Sequence, residues 1–322
     1  MTKPYAIGID IGGTNTVVGI VDTRGNVISS ISMPTQKHAD FNDYTNEIYL
    51  QTKNMLLDSS ISIEDVQGIG VGAPNANYYT GTIDNAANLR WKGILPLCDN
   101  LKGLFGIPVS CTNDANAAAI GEMTYGAARG MKNFIMITLG TGVGSGIVAN
   151  GQVLYGNDGF AGELGHMIIR RQNGRQCGCG RCGCLECYCS ATGVTRTAKE
   201  MMELTEIPSV LRTISSEELT SKNVYDAARN NDKLALQVFE YTGKVLGEAL
   251  ADFATFLAPE AIILFGGLAK AGNMILEPTK KSMEKNILFV WKNKIDVILS
   301  ELKETDAAVL GASALGWEVN KI

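Results

Sequence analysis

The chain has 322 residues, enough for two domains, with 28 basic and 33 acidic side chains and a net charge of −5. That balance argues against a polyanion, nucleic acid included, as the main partner. No run of eighteen apolar residues and no N-terminal leader pattern is visible, so the expectation is a cytoplasmic protein without a membrane span.

In chain order, residues 5–11 form an apolar strand of the kind buried on both faces. Gly12 and Gly13 turn it, residues 14–21 return, and a turn at Arg24-Gly25-Asn26 leads to a third strand over 27–33. Apolar spacing predicts a helix over 42–57, then strands over 66–72 and 108–111 and an alanine-rich helix over 115–125. The string from Ile135 to Gly142 echoes that from Ile7 to Thr14. A second strand, a glycine turn (Asn150-Gly151-Gln152) and a third strand follow it, as they follow the first copy. This order points to two similar α/β halves facing one cleft, with a short, hinge-like boundary. Further on, residues 191–203 and 227–257 read as helical. A buried strand over 261–265 ends in Gly266-Gly267, and helices are expected over 274–287 and 306–320.

Three stretches carry chemistry. Asp10-Ile11-Gly12-Gly13-Thr14-Asn15 places a carboxylate at a strand end, then glycines whose N–H groups are free to cradle phosphate oxygens. The carboxylate suits Mg²⁺, directly or through water. Leu139-Gly140-Thr141-Gly142 is a second turn of that kind, so the two could grip one polyphosphate; a plain structural turn explains either taken alone. Asn113-Asp114 sits where a strand meets a helix. There Asp114 reads equally well as an N-cap or as a carboxylate accepting the proton of an attacking hydroxyl.

The densest stretch runs from Gly159 to Thr192. Six of the eight cysteines (Cys177, Cys179, Cys182, Cys184, Cys187, Cys189) fall just after His166, one of two histidines. Cys177, Cys179 and Cys184 with His166 make a compact set for tetrahedral zinc. An iron–sulfur centre or a disulfide knot is the competing reading, and the absence of a leader weighs against disulfides. Glu163, His166 and Glu186 together offer the mixture of acceptors and one fixed donor that neighbouring sugar hydroxyls need. Arg170, Arg171, Arg175 and Arg181 form a basic run within the loop, read as a solvated face.

DIGGTNT at residues 10–16, GAPN at 72–75, ANLRW at 87–91, NDANAAAIGE at 113–122 and LGTGVGSGIV at 139–148 together resemble the ROK family (repressors, open reading frames and sugar kinases). GELGH at 162–166, the CxCGxxGCxE string at 177–186 and FGGLAKAG at 265–272 extend the resemblance over nearly the whole chain. It is strongest to the bacterial glucokinase branch. It implies a bilobal actin-like α/β fold, two ribonuclease H-like domains around a cleft. The small lobe would span 1–113 plus 306–322, and the large one 114–305 with the zinc loop. It implies ATP-dependent phosphorylation of the glucose 6-hydroxyl, with Asp114 as base. Asn75, Asn88, Asn113, Glu163, His166 and Glu186 would lie on the sugar. ATP and Mg²⁺ would meet Asp10, Gly12, Gly13, Thr14, Asn15, Thr141 and Gly142, with Gly266 and Gly267 by the adenosine. Structural Zn²⁺ would sit on His166, Cys177, Cys179 and Cys184, and a homodimer is the family expectation. Kinases of N-acetylmannosamine or N-acetylglucosamine share this residue set. A sugar-sensing repressor would need a helix-turn-helix ahead of Tyr5.

Overall fold

A computed structural model of the protein describes residues 3–302 and 304–319. Its first sheet begins with β1 (Tyr5–Ile11), β2 (Asn15–Asp22) and β3 (Val27–Pro34). These form an antiparallel meander whose register pairs Ile7 with Ile20 and Val18 with Ile31. Helix α1 (Phe41–Asp58) opens on Asp40, whose carboxylate accepts the N–H of Asn42, and buries Tyr44 and Ile48. The chain then enters β4 (Val66–Gly72), parallel to β1. The short strands β5 (Ala76–Asn77), β6 (Thr82–Asp84) and β7 (Ile94–Leu95) make a small separate sheet. Helix α2 (Leu97–Phe105) follows, and β8 (Val109–Thr112) completes the first sheet in the order β3-β2-β1-β4-β8.

The second half repeats this plan. After α3 (Asp114–Tyr125) come β9 (Phe134–Leu139), β10 (Val143–Ala149) and β11 (Gln152–Val153), again antiparallel. The cysteine loop leads into α4 (Glu186–Cys189) and α5 (Ala191–Leu204), followed by α6 (Ser221–Arg229) and α7 (Lys233–Leu257). Then β12 (Ala261–Phe265), α8 (Asn273–Asn286) and β13 (Asp296–Leu299) give the order β11-β10-β9-β12-β13. Strand senses match the first sheet one for one, so the expected duplication of α/β halves is present.

Two expectations need correction. The helix expected over 227–257 is two helices, because Asn231 adopts a φ of +60° and the Asp232 carboxylate then caps α7 by accepting from Ala235 N–H at 3.0 Å. The last helix is α9 (Glu304–Glu318), and Asn320, where it was expected to end, lies outside the described residues. Strands β5, β6, β7 and β13 and helices α2 and α4 were not anticipated.

Helix α9 packs on β1, β2 and β4 of the first sheet, and α3 packs on β9 and β10 of the second. The two helices also cross each other: a Cβ on Gly121 of α3 would lie 2.8 Å from Gly311 Cα of α9. Glycine is likewise required beneath α9. A Cβ on Gly70 would overlap the carbonyl of Ala312 and stand 2.6 Å from Gly316 N, backbone that cannot rotate away. Gly70→Ala should therefore destabilise the fold by about 1–3 kcal/mol or more, as overpacking does. An unchanged urea midpoint would mean that α9 can move off the sheet without loss.

Candidate active site

The parallel strands β1, β4 and β8 end side by side, with Asp10 opposite Gly72 and Gly72 opposite Thr112. This brings Asp10 and the start of α3 to one sheet edge. A Cβ on Gly72 would be 3.7 Å from Asp10 Oδ1 and 3.8 Å from Asp114 Cα. The capping role falls to Asn113, whose Oδ1 accepts the Ala115 N–H at 2.9 Å. Asp114 is the first helical residue; its Oδ1 takes the same N–H at 2.8 Å, and its side chain is open to the cleft. Burial, then the charge of Asp114, pushes Asp10 up to about 7. Crowding by the cleft walls also raises Asp114, against the pull of the Ala115 N–H.

The first glycine turn is held from behind by buried hydroxyls that the sequence did not single out. Thr35 Oγ1 donates to the Gly12 carbonyl at 2.8 Å. Its oxygen must then accept from Thr16, 2.8 Å away, which in turn accepts from Tyr44 at 2.6 Å. The wire Tyr44–Thr16–Thr35 thus ends on the turn. Burial raises the Tyr44 hydroxyl, keeping it a donor. Thr14 and Asn15 are exposed on the turn.

The second turn, Gly140 to Gly142, is tied to the cysteine loop. Glu186 Oε2 accepts the Val143 N–H at 3.0 Å, and that carboxylate fills the place a Cβ on Gly142 would need. Glu163 is raised by burial, with Asp114 and Glu186 adding to the shift and His166 opposing it. Asp114, Glu163, His166 and Glu186 therefore lie within electrostatic reach at one site. Asn88 lies beside the first glycine turn: a Cβ on Gly13 would be 3.5 Å from Asn88 Nδ2. Asn75 is less available, since its Nδ2 already donates to the Asp84 carbonyl at 3.0 Å and its φ is +52°.

One ligand atom each from His166, Cys177, Cys179 and Cys184 falls within 4.8 Å of the others. Cys177 Sγ is 3.7 Å from His166 Nδ1, and the Sγ atoms of Cys179 and Cys184 are also 3.7 Å apart. A zinc–thiolate tetrahedron with bonds of about 2.3 Å has edges near 3.8 Å, so the donors fit that metal. Nδ1 faces the thiols, so Nε2 takes no part in this donor set. Arg181 Nη2 donates to the His166 carbonyl at 2.9 Å and steadies the loop. The basic run is only partly a solvated face. Arg175 is 7% exposed and pairs with Glu200, and Arg170 pairs with Glu248 at 2.8 Å. Of the surplus thiols, Cys189 is in the core, Cys187 faces the Gln176 carbonyl and Cys182 the Gln176 side chain. All eight cysteines are free.

Beside the second turn lies a cavity of about 470 Å³. Gly140 and Thr141 form one wall, Gly267 and Leu268 another, and Tyr225 and Asp226 of α6 a third. Gly266 has a φ of +99°, and a Cβ there would stand 2.7 Å from the Leu139 carbonyl, so the close approach of the β9 and β12 ends requires glycine. The α6 residues were not anticipated, because nothing in their sequence marks them.

Two sheets of the same strand order and sense, each with a glycine turn after its first strand, define an actin-like α/β protein. The ROK family model matches residues 6–318, and the chain belongs to that family. It is 39% identical to a glucokinase of Halalkalibacterium halodurans, covering all of this chain and 96% of that one. A glucokinase of Thermotoga maritima is 33% identical, with 98% of both chains covered. The crystal structure of a ROK family glucokinase from Streptomyces griseus in complex with glucose and AMPPNP superposes with a TM-score of 0.78. That protein is 32% identical, with 97% of this chain and 98% of that one covered. Among the described residues no helix is long and apolar enough to cross a membrane.

The Asp10 shift has a stability consequence. Its native pKa, about 7, lies above the unfolded value of 3.8, so the native state binds this proton more tightly. The associated stability is complete below pH 3.8 and is lost as pH rises through 7. Asp10→Asn removes that loss. Without ligands, the variant should be more stable than wild type at pH 8, on the order of 1–3 kcal/mol after allowing for water in the open cleft. The gap should close towards pH 5. Denaturation at the two pH values checks this, and a gap independent of pH would show that Asp10 ionises freely.

Proposed function

We propose that this chain transfers the γ-phosphate of ATP to the 6-hydroxyl of glucose. The carrying observation is the Asp114 carboxylate, open to the cleft beside two glycine turns and flanked by Glu163, His166 and Glu186. The full-length similarity to glucokinases supports the same reading. Glu163, Glu186 and Asn113 accept from or donate to the sugar hydroxyls, and His166 Nε2 adds a donor of fixed direction. Asn88, and Asn75 through its free oxygen, border the sugar. Asp114 accepts the proton of the 6-hydroxyl as its oxygen bonds to the γ-phosphorus and the bond to the bridging β–γ oxygen breaks. Its raised pKa makes it the stronger base for that step.

Backbone N–H groups of Gly12 to Asn15 and of Thr141 and Gly142 hold the phosphates. The cavity lined by Thr141 and Gly267 receives the adenosine, with Gly266 lining the neighbouring hollow. Magnesium supplies charge neutralisation on the phosphates, and Asp10 is the carboxylate placed to hold it. The donor set of His166, Cys177, Cys179 and Cys184 is assigned to zinc, which orders the loop and fixes the imidazole. Residues 1–113 with 306–322 form the small lobe and 114–305 the large one, a division supported by α9 lying on the first sheet. A homodimer would cover apolar surface such as Phe256 and Phe289, which are 78% and 77% exposed. The free thiols suit a reducing cytoplasm.

A coupled assay over glucose, N-acetylmannosamine, N-acetylglucosamine, mannose and fructose tests the acceptor, with glucose expected to have the highest kcat/KM. In the same assay Asp114→Asn should lower kcat by about 10²–10⁴ while calorimetry still detects sugar binding. Activity within threefold of wild type would reduce Asp114 to a helix-terminal residue.

Metal analysis of the wild type should find about one zinc per chain. Cys179→Ser should weaken or empty the site and loosen its loop. Glucose affinity should then fall, while nucleotide binding, carried mainly by the glycine turns, persists. Undiminished glucose binding by a folded, zinc-free variant would make the cluster a remote structural feature.

A further inference from the structure

The segment after β3 runs behind the first glycine turn and takes all three of its carbonyls. Thr35 N–H donates to the Thr14 carbonyl at 2.9 Å, and Thr35 Oγ1 donates to Gly12. Gln36 Nε2 donates to the carbonyl of Gly13. In a trans peptide the carbonyl of one residue and the N–H of the next point opposite ways. With the Gly12 and Gly13 carbonyls drawn to this segment, the N–H groups of Gly13 and Thr14 are aimed away from it. Neither meets a protein acceptor among the described residues. Thr35 holds two of these carbonyls by itself and so sets the basic course of the turn, and Gln36 adds only the third.

Gln36 does a second thing. The same Nε2 donates its other hydrogen to the Asn88 carbonyl at 3.1 Å. Both neighbours are carbonyl oxygens, so only the NH₂ end of the amide can stand there, and its orientation is unambiguous. The contact is returned from the other side, where Arg90 Nη1 donates to the Gln36 carbonyl at 2.9 Å. Lys92 Nζ stiffens this segment by donating to the carbonyls of Ala86 and Leu89 at 3.1 and 2.7 Å. One exposed amide therefore joins the glycine turn to the segment that carries Asn88.

We propose that Gln36 is a positioning residue that couples the two substrate sites. A sugar that orders the Asn88 segment steadies the Gln36 amide. The amide then fixes the Gly13 peptide with its neighbouring N–H groups turned to the phosphates, and a bound nucleotide acts in reverse. This rests on the kinase reading above. Linkage makes the effect reciprocal: whatever factor the sugar contributes to nucleotide affinity, the nucleotide contributes to sugar affinity.

The test is a calorimetric cycle on the full-length, metal-loaded protein. AMPPNP is titrated with and without saturating glucose, and glucose with and without AMPPNP. In the wild type each ligand should tighten the other about fivefold or more, by equal factors. In Gln36→Leu, which keeps the length but loses both donors, the factor should fall below about twofold while each ligand alone binds within about threefold of wild type. Gln36→Glu, which places a carboxylate between two carbonyls, should lose the coupling as well. Gln36 is exposed, so both variants should fold, and their thermal midpoints verify it. An undiminished factor in both variants overturns the proposal, as does the absence of coupling in the wild type. A purely structural brace would weaken single-ligand binding and leave the factor intact. Failure of either ligand to bind the wild type would overturn the kinase reading too, and is thus distinguishable.

Discussion

The separation of α3 from α9 is the constraint on which the rest of the structure depends. At Gly121 and Gly311 the two helices meet backbone to backbone, closer than any side chain allows. Each helix also lies on a different sheet, α3 on β9 and β10, α9 on β1, β2 and β4. The crossing therefore fixes how the two halves sit. Because α3 begins directly after β8, it also fixes where Asp114 stands relative to Asp10. Gly68 and Gly70 beneath α9 serve the same end: they let the helix sink onto the first sheet until main chain touches main chain. A chemical site between two halves needs this rigidity, since a shift of about 1 Å at a reacting group is costly.

The cleft so formed is electrostatically strained. Asp10, Asp114 and Glu163 are all raised, the first cause being burial for Asp10 and Glu163 and the surrounding cleft walls for Asp114. Glu186 adds its charge to Glu163, and His166 opposes that rise. The arginines nearby are turned to other work, on Glu200, Glu248 and the His166 carbonyl. A folded protein that gathers carboxylates in this way gives up stability to do so. In the proposed reaction a magnesium nucleotide and a polyol relieve that strain by supplying a cation and hydroxyl donors.

Much of this was legible in the sequence, for physical reasons. Residues 5–11, 66–72 and 261–265 are apolar runs buried on both faces, and their limits were read correctly. The repeat was legible because each half needs the same tight turn after its first strand. The division of 227–257 was missed because both pieces are helical in composition; only Asn230-Asn231-Asp232 marks the break, through a left-handed residue and a cap. Strands β5 to β7, of two or three residues, are too short to leave a periodic pattern. In the site, residues bearing unusual chemistry stood out: the thiols, His166 and the carboxylates. Thr16, Thr35, Gln36 and Tyr44 did not, because an ordinary hydroxyl or amide gains its role only from what the fold places beside it.

In the cysteine loop the two kinds of information combine. Sequence spacing yields the four donors, but not which imidazole nitrogen faces them. The 3.7 Å approach of Cys177 to Nδ1 decides that, and with it the direction of Nε2. The loop is tied to the chemistry at two further points. Glu186 follows two residues after Cys184 and holds the N–H of Val143, just past the second glycine turn. Ala191 N–H, at the start of α5, holds the Gly140 carbonyl at 2.8 Å. The loop thus braces the second turn from its front and its side, much as Thr35 and Gln36 brace the first from behind. In each half a glycine turn takes its shape from a neighbouring segment that holds its backbone groups. The duplicated halves converge on that arrangement by unrelated means, an amide strap in one and a cysteine loop in the other. The common strand plan accordingly places the two turns, and the segments packed on them make them rigid.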